Sequence, residues 1–316
     1  RDIQLDRLRE FGEVWLAWTL WRSLGLDSVL AERLPSGEET VPWPVTAFVL
    51  AAGRLCAPGS EVHTAERWAP TTALGEILGV PSGALNVDRL YRALDVLLPE
   101  QRTIERHLKE RFGDLFAVKF DLLLYDVTST FFEGEAASNP TARRGHSRDQ
   151  RHDAKQVCVA LVATAEGLPI AHRVFAGNRV DVTTVEEIVT EVEAEFGRME
   201  RIWVMDRGMV SEENLEFLRR RGGRYLVGTP KSMLKRFERE LVAKGWRAAA
   251  PGLEVKGCPS PDGEETFVLC RSRDRREKER AMHERFAQRI GHGLLRLRRR
   301  LRRSRRPIAA SGVERQ

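Results

Sequence analysis

Three short apolar runs in the middle of the chain, with only loop-like sequence between them, constrain its fold more than any other feature. The runs cover residues 122–127, 157–163 and 170–175, and each has the β-prone composition of a strand. Glu166-Gly167, between the last two runs, is typical of a tight turn. The pattern therefore predicts three consecutive antiparallel strands.

Alternating helix and strand patterns follow these runs. Thr183 and Glu186 fit a capping box at the start of the first helix. The predicted elements are, in order, a helix at 181–196, a strand at 202–206, a helix from Ser211 to residue 221 and a strand at 225–228. The order β-β-β-α-β-α-β predicts an α/β fold, in which helices pack on a mixed sheet.

The rest of the sequence predicts helices before this sheet and smaller elements after it. Asn86 is placed to begin a helix, and Trp15, Trp18 and Trp21 recur on one apolar helix face, which indicates burial. The segments are a helical N-terminal region at 1–115, the α/β core at 116–230, an insertion at 231–272 with a helix at 232–244 and strands at 253–258 and 266–271, a basic helix at 273–303, and a tail without periodicity at 304–316, predicted to be disordered.

The formal charge of +6 is concentrated in one segment of the chain. Residues 271–306 contain 16 Lys or Arg and 4 Asp or Glu, a balance of +12, which leaves −6 for all other residues. Composition alone therefore does not make the whole chain a polyanion binder. The basic stretch has two interpretations, an electrostatic contact with nucleic acid or a solvated charged tail.

Several other classes of protein are excluded by the sequence. No apolar run approaches the roughly 20 residues that span a bilayer, so we expect no membrane association. The four cysteines lie far apart and form no CxxC pair, which argues against a zinc site and a disulfide framework.

Two aspartates, Asp126 and Asp206, are placed where chemistry is expected. Each follows an apolar strand pattern and precedes small or polar residues. Two ionised carboxylates at the ends of neighbouring strands would repel each other, and a divalent cation such as Mg²⁺ would offset both charges. The alternative is that each Asp only caps a strand or accepts backbone hydrogen bonds in a turn. We favour the metal site for this pair in this strand order.

Five sequence segments together resemble a known protein family. They are YDVTSTFFEG at 125–134, GHSRDQRHD at 145–153, FAGNRVD at 175–181, VMDRGMVSEENL at 204–215 and VDRLYRALD at 87–95. In their order and spacing they resemble the bacterial insertion-sequence transposases of the DDE type, and the resemblance covers most of residues 1–290.

The resemblance implies an RNase H-like catalytic core that cuts DNA and joins strands with two Mg²⁺ ions, for which Mn²⁺ can substitute. Asp126 and Asp206 would be the first two catalytic carboxylates and metal ligands. The helical N-terminal region would help to recognise transposon ends. The partners would be inverted-repeat ends and target DNA, bound by a homodimer at the nucleoid of the bacterial cytoplasm.

The third carboxylate of the family is a Glu on a helix beyond an inserted segment, within a pattern of Tyr, Arg, Glu and Lys. That pattern is not found in this sequence, and the surroundings of Glu279 and Glu284 do not match it, so the third carboxylate stays unassigned. Truncation or a frameshift is the simplest explanation. Two functions remain open: a transposase, or a catalytically inactive fragment that occupies transposon ends or interferes with an intact transposase.

Further residues are candidates for DNA contact or for support of the site. The candidates for phosphate contact are Arg143, Arg144, Arg148, Lys155 and Arg207. The first four lie in a basic segment between two predicted strands. The alternative interpretation of this segment is a solvated loop without a DNA contact. The alternative for Arg207 is an ion pair with a carboxylate. Asn178 and Asp181 lie in the loop that the family places near the active site. Their alternative roles are a left-handed turn at Asn178 and a helix cap at Asp181.

Overall fold

The computed structural model describes residues 8–37, 39–81, 83–117, 120–197, 201–229, 231–260, 263 and 265–303. The predicted tail at 304–316 lies outside these residues. The chain divides into two compact units, Arg1–Thr229 and Pro230–Gln316.

The described helices and strands follow one another in a simple order. The helices are α1 (Gly12–Ser23), α2 (Leu26–Arg33), α3 (Trp43–Cys56), α4 (Glu61–His63), α5 (Leu74–Leu78), α6 (Val87–Leu97), α7 (Gln101–Phe116), α8 (Val185–Phe196), α9 (Glu212–Arg220), α10 (Glu238–Val242) and α11 (Arg273–Arg303). The strands are β1 (Leu122–Phe131), β2 (Gln156–Thr164), β3 (Pro169–Ala176), β4 (Ile202–Met205), β5 (Arg224–Val227), β6 (Arg247–Ala250), β7 (Leu253–Pro259) and β8 (Thr266–Ser272).

The N-terminal helices of the first unit pack around Phe48, which is almost fully buried. Trp18 and Trp21 meet its ring edge-on at 4.8 and 5.6 Å between centroids. The prediction that Trp15 is buried is wrong, since Trp15 is 51% exposed. Successive helical residues point about 100° apart, so Trp15 cannot share the buried direction of Val14.

A five-stranded mixed sheet forms the rest of the first unit, in the order β3-β2-β1-β4-β5. The first three strands are antiparallel, whereas β4 and β5 run parallel to β1. Helices α8 and α9 form the crossovers of the parallel strands. The predicted α/β fold, a mixed sheet flanked by helices, is confirmed.

Strand β1 is longer than the sequence predicts. It pairs with β2 as far as Phe131, opposite Gln156, whereas its pairing with β4 stops at Tyr125, opposite Met205. Asp126 therefore lies within β1, at the level where the parallel neighbour ends, and not at the end of the strand. The sequence does not predict this extension, because the residues after Val127 are mostly polar and show no apolar strand pattern. Their backbone hydrogen bonds to β2 keep them extended without a buried face.

One face of the sheet forms the core. Leu123, Tyr125 and Val127 alternate along β1 and are buried, as are Trp203 and Met205 on β4. They pack with the apolar stripe of α8, which consists of Val185, Ile188, Val189, Val192 and Phe196. Since side chains alternate between faces, the residues between these positions lie on the opposite face.

The start of α8 differs from the prediction. A 3₁₀ turn, Asp181–Thr184, precedes the helix, and no side chain caps the helix amides. The Thr183 hydroxyl instead donates to the carbonyl of Val180 at 2.8 Å and accepts from Arg179 at 2.7 Å, so the predicted capping box is wrong. The caps at Asn86 and Ser211 are confirmed, because each side chain accepts a backbone N–H of its helix.

Helix α7 covers the outer edge of the sheet at β3. Gln101 donates to the carbonyl of His172, and Glu105 accepts its N–H, each at 2.8 Å. Two side chains one helical turn apart thus satisfy backbone groups that an edge strand would otherwise leave unpaired.

Glu105 also belongs to a buried ion cluster with Arg173, Glu191 and Glu195. The side chains of Glu105 and Glu195 are each 8% exposed, and that of Arg173 is 14% exposed. Burial by itself raises the pKa of Glu105, but hydrogen bonds from His172, Gln101 and Arg173 outweigh it and lower the pKa to about 2. The cluster joins α7 to β3 and α8.

The second unit contains a three-stranded antiparallel sheet in the order β6-β7-β8. The two predicted strands of the insertion are present, and β6 was missed because its four side chains are all exposed and show no alternation. The predicted helix at 232–244 is a 3₁₀ helix, Lys231–Phe237, followed by the short α10. The predicted basic helix is α11. No described helix combines the length and apolar composition needed to cross a bilayer.

Candidate active site at the carboxyl edge of the parallel strands

Asp126 and Asp206 are matched by the register of two neighbouring parallel strands, although Asp126 lies within β1 and Asp206 directly after the end of β4. Each directly follows a register partner, because Tyr125 of β1 lies opposite Met205 of β4. Tyr125 and Met205 point into the core, so both carboxylates project from the other face of the sheet, where both residues are exposed. Neighbouring strands are about 4.8 Å apart, so the two aspartates extend from adjacent backbone positions.

Local backbone geometry presents the two carboxylates differently. The Asp126 carboxylate accepts the N–H of Val127 at 2.8 Å. Asp206 has extended backbone and is followed by a 3₁₀ turn, Arg207–Met209, in which the N–H of Met209 donates to the carbonyl of Asp206 at 3.1 Å. Among the described residues, the Asp206 carboxylate has no hydrogen-bond donor. The alternative, that each Asp only caps a strand or accepts backbone hydrogen bonds in a turn, therefore explains the contact of Asp126 with Val127. It explains nothing about the Asp206 carboxylate, which has no such contact among the described residues.

The donor chemistry of the pair fits Mg²⁺. Magnesium prefers oxygen ligands, retains several of its waters and is commonly bound by only one or two protein carboxylates. Two adjacent like charges without a cation would repel each other, so a bound divalent ion would stabilise the arrangement. Within the part of the chain that the structure describes, no group of three His, Cys, Asp or Glu side chains is arranged to hold a metal. Among the described residues, Asp126 and Asp206 are thus a pair of candidate ligands without a third that completes such a group.

Asp181 lies beside the turn that follows Asp206. Its Oδ2 atom would be 3.6 Å from a Cβ atom at Gly208, and it accepts a 2.8 Å ion-paired hydrogen bond from Arg148. Since Asp181 pairs with Arg148 and caps no amide, the helix-cap alternative is wrong. The predicted left-handed turn at Asn178 is also wrong, because the described non-glycine residues with positive φ are Ala117, Ala136 and Gln150.

The basic segment that follows β1 is attached to the sheet by its backbone. Arg143 and Gln156 exchange N–H···O bonds of 3.0 and 2.9 Å, and the N–H of Gly177 donates to Thr141 at 3.0 Å. The side-chain amide of Gln156 also donates to the carbonyls of His146 and Gly177. A Cβ atom at Gly177 would overlap the carbonyl oxygen of Gln156, so glycine is required at this close approach.

The candidate DNA-binding side chains on and near this segment are not equivalent. Arg143, Arg144 and Arg207 are exposed and pair with no acidic side chain among the described residues. Lys155 is half-buried. Arg148 is held by Asp181, so its charge is already partly compensated.

Two buried polar residues at this edge, Thr184 and Asn214, were not singled out by the sequence. Thr184 is 0% and Asn214 9% exposed. Asn214 lies in the segment 204–215, one of the five that carry the family resemblance, so the sequence offered a reason to consider it. Thr184 lies in none of these segments, and the sequence offered no such reason.

Comparison with known proteins gives one family and several solved structures. A family model described as a transposase DDE domain matches residues 120–306. The piggyBac transposase synaptic complex with hairpin DNA has 12% sequence identity and a TM-score of 0.35, and the alignment covers 83% of this chain and 61%, less than two thirds, of that one. The Mos1 transposase paired-end complex with left transposon end has 12% identity and a TM-score of 0.25, covering 67% and 74% of the two chains. No curated protein is significantly similar in sequence.

Proposed function

Because the chain belongs to the transposase DDE domain family, we propose that it cleaves DNA strands at the ends of its own mobile element and transfers them to target DNA. The observation that carries this proposal is the placement of Asp126 and Asp206. They directly follow register partners on neighbouring parallel strands, and both are exposed. Such a pair, open to solvent, can receive a phosphodiester together with its cations.

Asp126 and Asp206 would bind Mg²⁺, as two ions in the complete site, and Mn²⁺ could take its place. A cation bound there supplies Lewis-acid stabilisation of the charge that develops on a phosphodiester. The protein contributes the alignment, because the two strands are held in register by their ladder and by the core beneath Tyr125 and Met205. The third carboxylate remains unassigned among the described residues.

The exposed arginines near this edge would bind the DNA backbone. Arg143, Arg144 and Arg207, with Lys155, would contact phosphates, which orients DNA without reading its sequence. Arg148, held by Asp181, would mainly fix the basic segment beside the site. The N-terminal helices would take part in recognising the inverted-repeat ends. Assembly on DNA would involve two copies of the chain, in the cytoplasm at the nucleoid.

A nicking assay on DNA tests the proposed function. The purified chain is incubated with duplexes that carry the ends of its own element, in Mg²⁺, in Ca²⁺ or in EDTA. We expect strand nicks at the element ends in Mg²⁺ and none in EDTA, because the cleavage chemistry depends on the cation. Nicking that continues in EDTA would contradict the proposed mechanism.

A second candidate function is an inactive DNA-binding fragment that occupies transposon ends or competes with an intact transposase. It is favoured because no group of three His, Cys, Asp or Glu side chains among the described residues is arranged to hold a metal. The same assay separates the two candidates, because this fragment would bind end DNA and nick it under none of the three conditions.

The proposed phosphate contacts make a prediction about salt. Changing Arg143 or Arg144 to Ala is expected to reduce the slope of log affinity against log salt concentration by about 0.9 for each phosphate that the arginine neutralises. Arg151→Ala is the matched control in the same segment, since Arg151 already pairs with Asp153 through two bonds of 3.0 Å. Fluorescence anisotropy on labelled duplexes measures these slopes. Equal slopes in all variants would exclude these arginines from the DNA interface.

A further inference from the structure

Thr184 connects the strand that carries Asp126 to the turn that carries Asp181. Its hydroxyl accepts the hydroxyl proton of Tyr125 and donates to the carbonyl of Asp181, both at 2.6 Å. Burial raises the pKa of the Tyr125 phenol well above its ordinary value, and the charges of Asp181 and Asp126 add to this effect.

Asn214 connects the same turn to the residues after Asp206. Its side-chain amide donates to the carbonyls of Val182 and Met209, each at 2.8 Å. The backbone of Asn214 is itself held in place, because the Ser211 hydroxyl accepts the backbone N–H of Asn214 and caps α9. Met209 is 1% exposed, so the 3₁₀ turn after Asp206 is held from two sides.

Together these bonds form a continuous chain across the edge of the sheet. It begins at Tyr125, next to Asp126, passes through the turn at 181–184 and ends at the turn after Asp206. Every member that donates is a buried side chain, and loss of one leaves a buried polar group unpaired. β-Ladder bonds between β1 and β4 stop at Tyr125 and Met205, so they do not hold the two aspartates themselves.

We propose that Thr184 and Asn214 are positioning residues that set the separation of the Asp126 and Asp206 side chains, and thereby the affinity of the site for a divalent cation. This inference rests on the proposed function for its purpose. Its geometric content is independent of that function, because the separation of two side chains can be measured without metal or DNA.

The first measurement is disulfide formation between two introduced cysteines. Asp126→Cys and Asp206→Cys are combined with Cys270→Ser, which removes the exposed native thiol, and the rate of cross-linking by diamide is followed by mass spectrometry. Cross-linking requires Cα atoms about 4.4–6.8 Å apart, so the rate reports the register of the edge. Thr184→Val and Asn214→Ala are each expected to lower this rate, because a changed separation moves the two Cα atoms out of that range.

The second measurement is the affinity of the chain with both aspartates for Mn²⁺ alone, by isothermal titration. Thr184→Val and Asn214→Ala are expected to weaken it at least about tenfold, the usual effect of losing a group that orients metal ligands. Thr184→Ser keeps the hydroxyl and should restore both readouts. Thr46→Val is the matched control, because Thr46 is 0% exposed and donates only to the carbonyl of Pro42 in the N-terminal helices.

The outcomes separate this inference from the proposed function. Folded Thr184→Val and Asn214→Ala variants, checked by thermal unfolding, that cross-link at the original rate would overturn the positioning role. If Asn214→Ala does not fold, Tyr125→Phe removes the hydroxyl at the other end of the chain of bonds and decides the matter with Thr184→Val. An unaltered chain that binds no Mn²⁺ would refute the proposed metal site, while the cross-linking rates would still decide the positioning role.

Discussion

Replacing Asp206 with asparagine is expected to lower Mn²⁺ affinity by about 100-fold or more and to abolish Mg²⁺-dependent nicking. An asparagine has nearly the same shape but no charge, and a hard divalent cation is bound mainly by charged oxygen. Asp126→Asn should have an effect of the same size, because each of the two aspartates directly follows one of the register partners Tyr125 and Met205. Isothermal titration with Mn²⁺ and the nicking assay measure the two effects.

The matched control for these variants is Asp121→Asn. Asp121 is exposed and precedes β1 at the opposite end of the strand, so its loss removes the same charge without touching the site. The metal-free Asp126→Asn and Asp206→Asn proteins should melt slightly above the unaltered protein, since repulsion between two neighbouring carboxylates is removed. Undiminished Mn²⁺ affinity in either variant would refute its assigned role.

Arg173→Met is expected to reduce the free energy of unfolding by about 3–5 kcal/mol, the usual effect of removing one partner of a buried ion pair. The Arg173 guanidinium contacts Glu105, Glu191 and Glu195, and Met would leave these carboxylates without their shared cation. Urea denaturation at pH 7 measures the loss. Arg220→Met is the control, because its pair with Glu216 lies on the exposed surface of α9 and should contribute no more than about 0.5 kcal/mol.

The same variant should change the dependence of stability on pH. In the unaltered protein the pKa of Glu105 is lowered to about 2, so its contribution to stability is present above its ordinary pKa near 4.5 and is lost as the pH falls towards 2. Without Arg173 the neighbouring carboxylates raise one another's pKa, and protonation then favours the folded state.

We therefore expect the urea midpoint of Arg173→Met to rise more between pH 7 and pH 5 than that of the unaltered protein, in which Arg173 still keeps the pKa of Glu105 low. Glu195 should take up the proton first, because burial and the charge of Glu105 already raise its pKa. A variant that loses under 1 kcal/mol, or whose midpoint does not rise between pH 7 and pH 5, would contradict the role assigned to Arg173.

Much of the sheet could be predicted from local sequence. Three segments are apolar and have the usual length of a strand: 157–163, 170–175 and 202–206. Their order along the chain limits the sheet topology to few choices. The extension of β1 to Phe131 could not be predicted, because it depends on backbone pairing with β2 and not on side-chain pattern. The burial of Trp15 was mispredicted for a related reason: helical spacing does not say which stripe meets Phe48.

The candidate site divides in the same way. Asp126 and Asp206 were identifiable because each stands after an apolar strand pattern, which is a local signal. Their shared face depends on the register of β1 with β4, since a shift of one residue would send one side chain to the other face. The partners of Asp181 could not be foreseen either, because Arg148 is distant in sequence and reaches it only across the folded edge.

From the amino-acid order alone one can read the identity and sequence of the strands, the family that they resemble and the two acidic residues that mark the site. These follow from periodicity and short motifs, which are properties of neighbouring residues. Only the tertiary structure decided the register that matches Asp126 with Asp206, the burial of Thr184 and Asn214, and the bonds that join these two residues and Arg173 to distant segments. Contacts between segments far apart in the chain depend on packing, and packing is a property of the whole fold.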